Sequence, residues 1–256
     1  MNVVIDWGNT RLKAGWFEGN RLISTARYET AERLIPDLIG QVPDQIIVSS
    51  TSQSASVIRA GLSLLGADFL VLDAQTPVPI QKAYHTPHTL GPDRVAAAVG
   101  ATVLFPERDC LVLDVGTCLT ADLIDRHSVF QGGLISPGVR MRFRAMHEQT
   151  ARLPMIELPP VIPHAHWPDM TTKNTQQALL SGVLNGLLLE MNGLIEHYRR
   201  ERPELVVLTC GGDAPTFESR LNSPIFAASE LVLVGLNRIL TYNVKNLHAD
   251  TPDVNA

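Results

Sequence analysis

The chain has 256 residues, 45% of them hydrophobic and 18% charged, a composition that fits a globular protein and excludes a disordered one. A net charge of −5 argues against nucleic-acid binding as the main function. No apolar run reaches the length of a membrane span, and MNVVIDWGNT lacks the basic start and long apolar stretch of a secretory signal, so a cytoplasmic protein without a membrane partner is expected.

The opening reads as three short strands. NVVI is β-branched and ends at Asp6-Trp7-Gly8-Asn9-Thr10; RLKAGWFEG alternates, with Leu12, Ala14 and Trp16 on one face; a turn at Glu18-Gly19-Asn20 leads into RLISTARYE. TAERLIPDLIGQ has helical spacing but carries Pro36, which predicts a short or broken helix. DQIIVSST is a strand, SASVIRAGLSLLG a helix with a serine-rich start, and DFLVLDA a strand. Gln75 to Leu90 shows no periodicity and reads as a loop. GPDRVAAAVGATVLF then forms a helix whose alanines and glycine predict close packing on a neighbour.

The opening pattern recurs in CLVLDVGT, CLTADLID and VFQGGLIS: strand, Asp-x-Gly turn, strand, tight turn, strand. The chain is therefore expected to contain an internal duplication, with domains at 1–109 and 110–256. VRMRFRAMHEQTARL is a basic amphipathic helix, and MIELPPVIPHAHWPDM is Pro-rich and irregular. QQALLSGVLNGLLLEMNGLIEHYRRE is the longest helical stretch; Gly182, Gly186 and Gly193 predict close packing or a break. ELVVLT is a strand entering Cys210-Gly211-Gly212-Asp213-Ala214, ELVLVGLNRILTYNV a last helix, and HADTPDVNA a frayed tail. Cys110, Cys118 and Cys210 form no CxxC and are expected as reduced thiols.

Three motifs carry chemistry. A glycine just after a strand lets backbone approach a polyanion, and Asn9, Thr10 and Thr117 offer donors to phosphate oxygens. Asp6 and Asp114 would repel phosphate unless a cation lies between, so they imply a hard, oxygen-liganded ion, Mg²⁺ or a monovalent one. Lys13 is placed to neutralise charge developing during transfer. The third motif, Gly91-Pro92-Asp93-Arg94, opens a helix. Asp93 there reads by itself as a capping residue, and the helix dipole is expected to keep it ionised. Gly211-Gly212 offers room for a base or ribose. His164 and His166 have a His-x-His spacing without a third ligand nearby, which reads as a solvated loop. Neither GxxxxGK[ST] nor a strand-borne GxGxxG occurs.

DWGNTRLK, GPDR, LDVGTCLTAD and TCGGDA, in this order, resemble type III pantothenate kinase from Val3 to about Asn243. The resemblance implies an α/β fold of two duplicated actin-like (ribonuclease H-like) domains with a nucleotide cleft between them. It implies ATP-dependent phosphorylation of the primary hydroxyl of pantothenate, the first step toward coenzyme A, by a homodimer that requires Mg²⁺ and K⁺ or ammonium. Carried over motif by motif, Asp6, Trp7, Gly8, Asn9, Thr10, Arg11, Leu12 and Lys13 form the first ATP-phosphate loop, and Thr117 is a second ATP contact. Asp93 is the base that receives the hydroxyl proton. Tyr84, Gly91, Pro92, Asp93, Arg94 and Thr175 line the pantothenate site, and Asp114 is the monovalent-cation ligand. Trp7 departs from the family, which has a small aliphatic residue there, and Cys118 stands where alanine is common. Two other functions share the fold: a regulatory or transcription-accessory role, and a kinase for another small acid or sugar.

Overall fold

The computed structural model describes residues 1–8, 11–41, 43–62, 69–159, 167–222 and 224–249. The first half runs β1 (Asn2–Trp7), β2 (Leu12–Glu18), β3 (Arg21–Tyr28), α1 (Ala31–Gln41), β4 (Gln45–Ser50), α2 (Ala55–Leu62), β5 (Phe69–Val71), β6 (Gln81–Lys82) and α3 (Pro92–Leu104). The second runs β7 (Cys110–Val115), β8 (Cys118–Ile124), β9 (Val129–Pro137), α4 (Val139–Glu148), α5 (Thr175–Glu201), β10 (Val206–Cys210), β11 (Phe226–Ala227) and α6 (Leu231–Ala249).

The two halves repeat one sheet plan. In the first, the strand order is β3-β2-β1-β4-β5; in the second it is β6-β9-β8-β7-β10-β11, the same plan with the two-residue β6 added beside β9. In each, the opening strand pairs antiparallel with the next strand and parallel with a later one: β1 with β2 and β4, β7 with β8 and β10. The duplication read from the two Asp-x-Gly turns is therefore present as a repeated topology. A buried strand flanked on both edges reads as a continuous apolar run, and Val3, Val4 and Ile5 of β1 and Leu111, Val112 and Leu113 of β7 are almost wholly buried.

By contact, the chain divides into two units: Met1–Glu107 with Arg126–Gln131 and the described residues from Glu230 onward, and Arg108–Asp125 with Gly132–Ser229. A division at 109/110 would put the last helix in the second half; α6 instead packs in the first unit. The cause is a pair of glycines. A Cβ at Gly235 would lie 1.7 Å from the Ala96 carbonyl oxygen, and one at Gly100 would lie 2.3 Å from the Leu231 carbonyl oxygen, so α3 and α6 meet backbone to backbone. The close packing expected of α3 is this contact. Val129 and Phe130, at the start of β9, pair with Gln81 and Lys82 inside the first unit.

Other expectations change. α1 runs unbroken through Pro36; both Pro36 and Glu32, whose carbonyl loses its helical partner, are exposed, on the side where solvent is available to that group. Gly182, Gly186 and Gly193 neither break α5 nor pack closely, since a Cβ at each would meet nothing within 4 Å. α5 is long and apolar enough to cross a membrane, which the sequence reading had not anticipated. Its Leu179, Val183, Leu184, Leu187, Met191 and Ile195, however, lie in the core of the second unit, the ordinary position of an amphipathic core helix. β6 and β11, two residues each, were not foreseen. Residues 250–256 of the expected tail lie outside the described residues, while His248 and Ala249 continue α6.

Candidate active site

The first loop grows from the end of β1. Register places Asp6 opposite Lys13 on β2 and beside Ser49 on β4. The Gly8 N–H donates to the Arg11 carbonyl at 3.1 Å, closing the turn; Asn9 and Thr10 lie outside the described residues. Arg11 is exposed, while Leu12 is a core residue that can offer a ligand only its backbone. Trp7, the departure from the family pattern, is half-buried and packs against the first hydrophobic core. Its indole therefore fills core space. Lys13 reaches Glu230, at the start of α6, with Nζ to Oε2 at 2.7 Å.

Two serines to which the sequence assigned no role at the site, Ser50 at the end of the expected strand and Ser52 just after it, brace this turn. The Ser50 hydroxyl donates to the Trp7 carbonyl at 3.0 Å and accepts from the Gln53 N–H at 3.0 Å; the Ser52 hydroxyl donates to the Gly8 carbonyl at 3.2 Å. The available signal was the Ser-rich run directly after a strand parallel to β1.

The Gly91-Pro92-Asp93-Arg94 motif opens α3 as expected: Gly91 is the N-cap, Pro92 the first helical residue, and Asp93 lies in the first turn. The Asp93 side chain folds back so that Oδ1 accepts from the Arg94 N–H at 2.8 Å. That fold requires glycine at 91, because a Cβ there would lie 2.5 Å from the same Oδ1. The helix dipole favours the ionised form. Burial pushes the pKa up, with the backbone N–H of Arg94, the Arg94 charge and its own N–H pulling part of the way back. A raised carboxylate is a better proton acceptor near neutrality.

Arg94 is 7% exposed, and its guanidinium carbon sits 5.7 Å from the centre of the Phe130 ring. Tyr84 meets the same ring edge to face, with centroids 5.9 Å apart and planes at 69°. Two residues expected to touch the acceptor, ten positions apart in sequence, thus share one aromatic neighbour. Phe130 was missed because nothing local in VFQGGLIS marks it.

The second loop lies wholly in the second unit. The Gly116 N–H donates to the Cys118 carbonyl at 2.9 Å, leaving Thr117 exposed at the tip of the β7–β8 turn. The Gly138 N–H, at the start of α4, donates to the Thr117 carbonyl at 3.1 Å, and the Asp213 N–H donates to the Val115 carbonyl at 2.9 Å. Gly211 has φ of 93°, the left-handed region where side chains are strained. A Cβ on it would lie 2.4 Å from Asp114 Oδ1 and 2.5 Å from the Val115 carbonyl oxygen. Glycine at 211 thus lets the backbone lie hard against the Asp114 carboxylate and the Val115 carbonyl, hard donors of the kind that suit K⁺, ammonium or Mg²⁺. Burial raises the pKa of Asp213, and the Arg140 charge opposes the shift. Thr175 is exposed in the first turn of α5, behind Asn174, which caps the helix by accepting from the Gln177 N–H at 2.9 Å. It belongs to the second unit, and Tyr84 and Gly91 to Arg94 to the first. His164 and His166 lie outside the described residues, and among those described no group of three metal-ligating side chains gathers.

These features have counterparts in known proteins. A family model described as type III pantothenate kinase matches residues 2–197. The type III pantothenate kinase of Cytophaga hutchinsonii is 43% identical over 244 residues, covering 95% of this chain and all of that protein. That of Phocaeicola vulgatus is 40% identical over 247 residues, covering 96% and 100%. Among solved structures, a conserved protein of Campylobacter jejuni assigned to the Baf family of transcriptional activators aligns at a TM-score of 0.61 with 19% identity, covering 95% of this chain and 99% of that one. The activator of the 2-hydroxyisocaproyl-CoA dehydratase from Clostridium difficile, with bound ADPNP, aligns at 0.55 with 11% identity, covering 100% and 99%. At such identities the structural likenesses speak for the fold alone, and both have the duplicated α/β arrangement's full length in common with this chain. Sequence kinship carries the rest: with the motifs, their order and nearly the whole length shared, this chain belongs to the type III pantothenate kinase family.

Proposed function

We propose that this protein transfers the γ-phosphoryl group of ATP to the primary hydroxyl of pantothenate, giving 4′-phosphopantothenate and ADP. The observation that carries the reading is the half-buried Asp93 at the start of α3, its carboxylate raised by burial and set beside Arg94, in a chain with full-length kinship to pantothenate kinases. In this mechanism the hydroxyl oxygen attacks the γ-phosphorus, the bond to the ADP oxygen breaks, and the hydroxyl proton passes to Asp93. Phosphoryl transfer asks mainly for alignment and charge neutralisation, so Asp93 orients the nucleophile and takes its proton late. Arg94 binds the pantothenate carboxylate. Tyr84, Gly91 and Pro92 line the acceptor site in the first unit, and the resemblance gives Thr175 of the second unit a pantothenate contact.

The loop from Asp6 to Lys13 and the turn at Thr117 bind the ATP phosphates through backbone N–H groups, hydroxyls and the lysine. Asp114, with the Val115 carbonyl beside Gly211, is the fit for a monovalent cation, K⁺ or ammonium; Asp6, at the matching place on β1, suits Mg²⁺ held through water. Such ions, when bound, offset phosphate charge. The protein acts as a cytoplasmic homodimer; its three free cysteines support a reducing compartment. The test is ADP release from ATP with pantothenate, with and without K⁺, together with mass detection of phosphopantothenate. Pantothenate-dependent ADP is expected. No ADP under any cation condition would refute the assignment.

A further inference from the structure

We propose that Phe130 is a positioning residue that holds Tyr84 and Arg94 in register for the acceptor, an inference that rests on the acceptor site proposed above. Phe130 is completely buried and so is set apart from a residue that would touch pantothenate itself. Its backbone is tied to the strand that leads to Tyr84: the Ala83 N–H donates to the Phe130 carbonyl at 3.0 Å, and the Gln81 N–H to the Ser128 carbonyl at 3.0 Å. That ladder stops one residue short of Tyr84. From there the ring takes over, meeting Tyr84 edge to face at 5.9 Å and lying under the Arg94 guanidinium at 5.7 Å.

Both contacts use the ring's electron distribution and not merely its volume. Edge-to-face pairing orients the tyrosine, and an aromatic face favours a guanidinium withdrawn from water. An aliphatic side chain of similar bulk fills the space but offers neither. One strand residue therefore sets the relative placement of a side chain from the loop before α3 and one from its first turn.

The experiment compares wild type, Phe130→Leu, Phe130→Met and Phe130→Tyr. In Phe130→Leu, KM for pantothenate should rise about tenfold, equivalent to about 1.4 kcal/mol, with KM for ATP unchanged. Amide hydrogen exchange across residues 83–94 should be faster. Phe130→Tyr, which keeps the ring, should restore both readouts toward wild type. Phe130→Met carries the same expectation as the leucine variant and replaces it if that variant does not fold. An unchanged pantothenate KM in a folded aliphatic variant, or a parallel rise in both KM values, would overturn the proposal. A wild-type enzyme that fails to turn over pantothenate would refute the functional reading instead. Exchange at 83–94 still decides the role of Phe130 in that case, since unchanged exchange in the aliphatic variants overturns it.

Discussion

Adding one methyl group at Gly91 separates catalysis from stability. The backbone there has φ of −56° and ψ of 134°, a conformation alanine adopts without strain. Exchanging glycine for alanine at such a position removes freedom from the unfolded chain and stabilises by roughly 0.4–1 kcal/mol. The new Cβ, however, would lie 2.5 Å from Asp93 Oδ1. Restoring an ordinary contact moves that oxygen by roughly 0.5–1 Å and breaks its 2.8 Å bond from the Arg94 N–H. Rotating one short side chain costs the fold little. For a base that must meet a reacting hydroxyl, a displacement of about 1 Å costs on the order of 10²-fold in rate. Gly91→Ala should therefore unfold at the wild-type temperature or slightly above it, with kcat down about a hundredfold and KM for ATP unchanged. Thermal unfolding and steady-state kinetics on both substrates test this. A folded variant with near-wild-type kcat would show that the observed Asp93 orientation does not matter to the reaction, and would remove it as the base.

Three further perturbations probe the same framework. Arg94→Met removes a charge that holds the Asp93 pKa down against burial. Activity that needs the ionised carboxylate rises as pH increases through its pKa, so the acid limb of the residual kcat/KM should move to higher pH; an unmoved limb would contradict this. Gly211→Ala combines a strained φ of 93° with a Cβ 2.4 Å from Asp114 Oδ1. It should abolish K⁺ activation and raise KM for ATP while sparing KM for pantothenate, and retained K⁺ activation would argue against Asp114 as the cation ligand. Gly235→Ala drives a Cβ to 1.7 Å from the Ala96 carbonyl oxygen, where only helix backbone can yield. Thermal unfolding should show a loss of about 3 kcal/mol, or roughly 6–12 °C in Tm; an unchanged Tm would contradict the close approach of α3 and α6.

What the sequence made legible was local. The strands and helices came from apolar periodicity, the turns from glycine after aspartate, and the start of α3 from a Gly-Pro-Asp run whose backbone preferences act within one turn. The candidate site residues on those elements stand at strand ends or helix starts, and their roles came from the family resemblance. Three features lay beyond that reach because distant segments create them. α6 joins the first unit through glycines 135 residues apart, at 100 and 235. Lys13 meets Glu230, which looks in the sequence like any acidic residue before a helix. The raised Asp93 pKa depends on how much tertiary structure removes water, while the sequence displays only the helix dipole that opposes it.

The duplication explains why two similar turns carry different loads. In both units the carbonyl after the strand-end aspartate is held by the loop that follows the adjacent parallel strand: Trp7 by Ser50 and the Thr51 N–H, Val115 by the Asp213 N–H. That shared brace fixes the direction in which each aspartate leaves its sheet. The bracing loops then diverge. From the end of β4 the chain runs Ser50-Thr51-Ser52, and hydroxyls hold the turn; after β10 it is Gly211-Gly212-Asp213, and the absent side chain lets the backbone lie against Asp114. A serine in place of Gly211 would put its Cβ where the Asp114 oxygen now lies and would carry the strain of φ at 93°. The first turn is thus braced by hydroxyls, and the second by close backbone contact at Gly211.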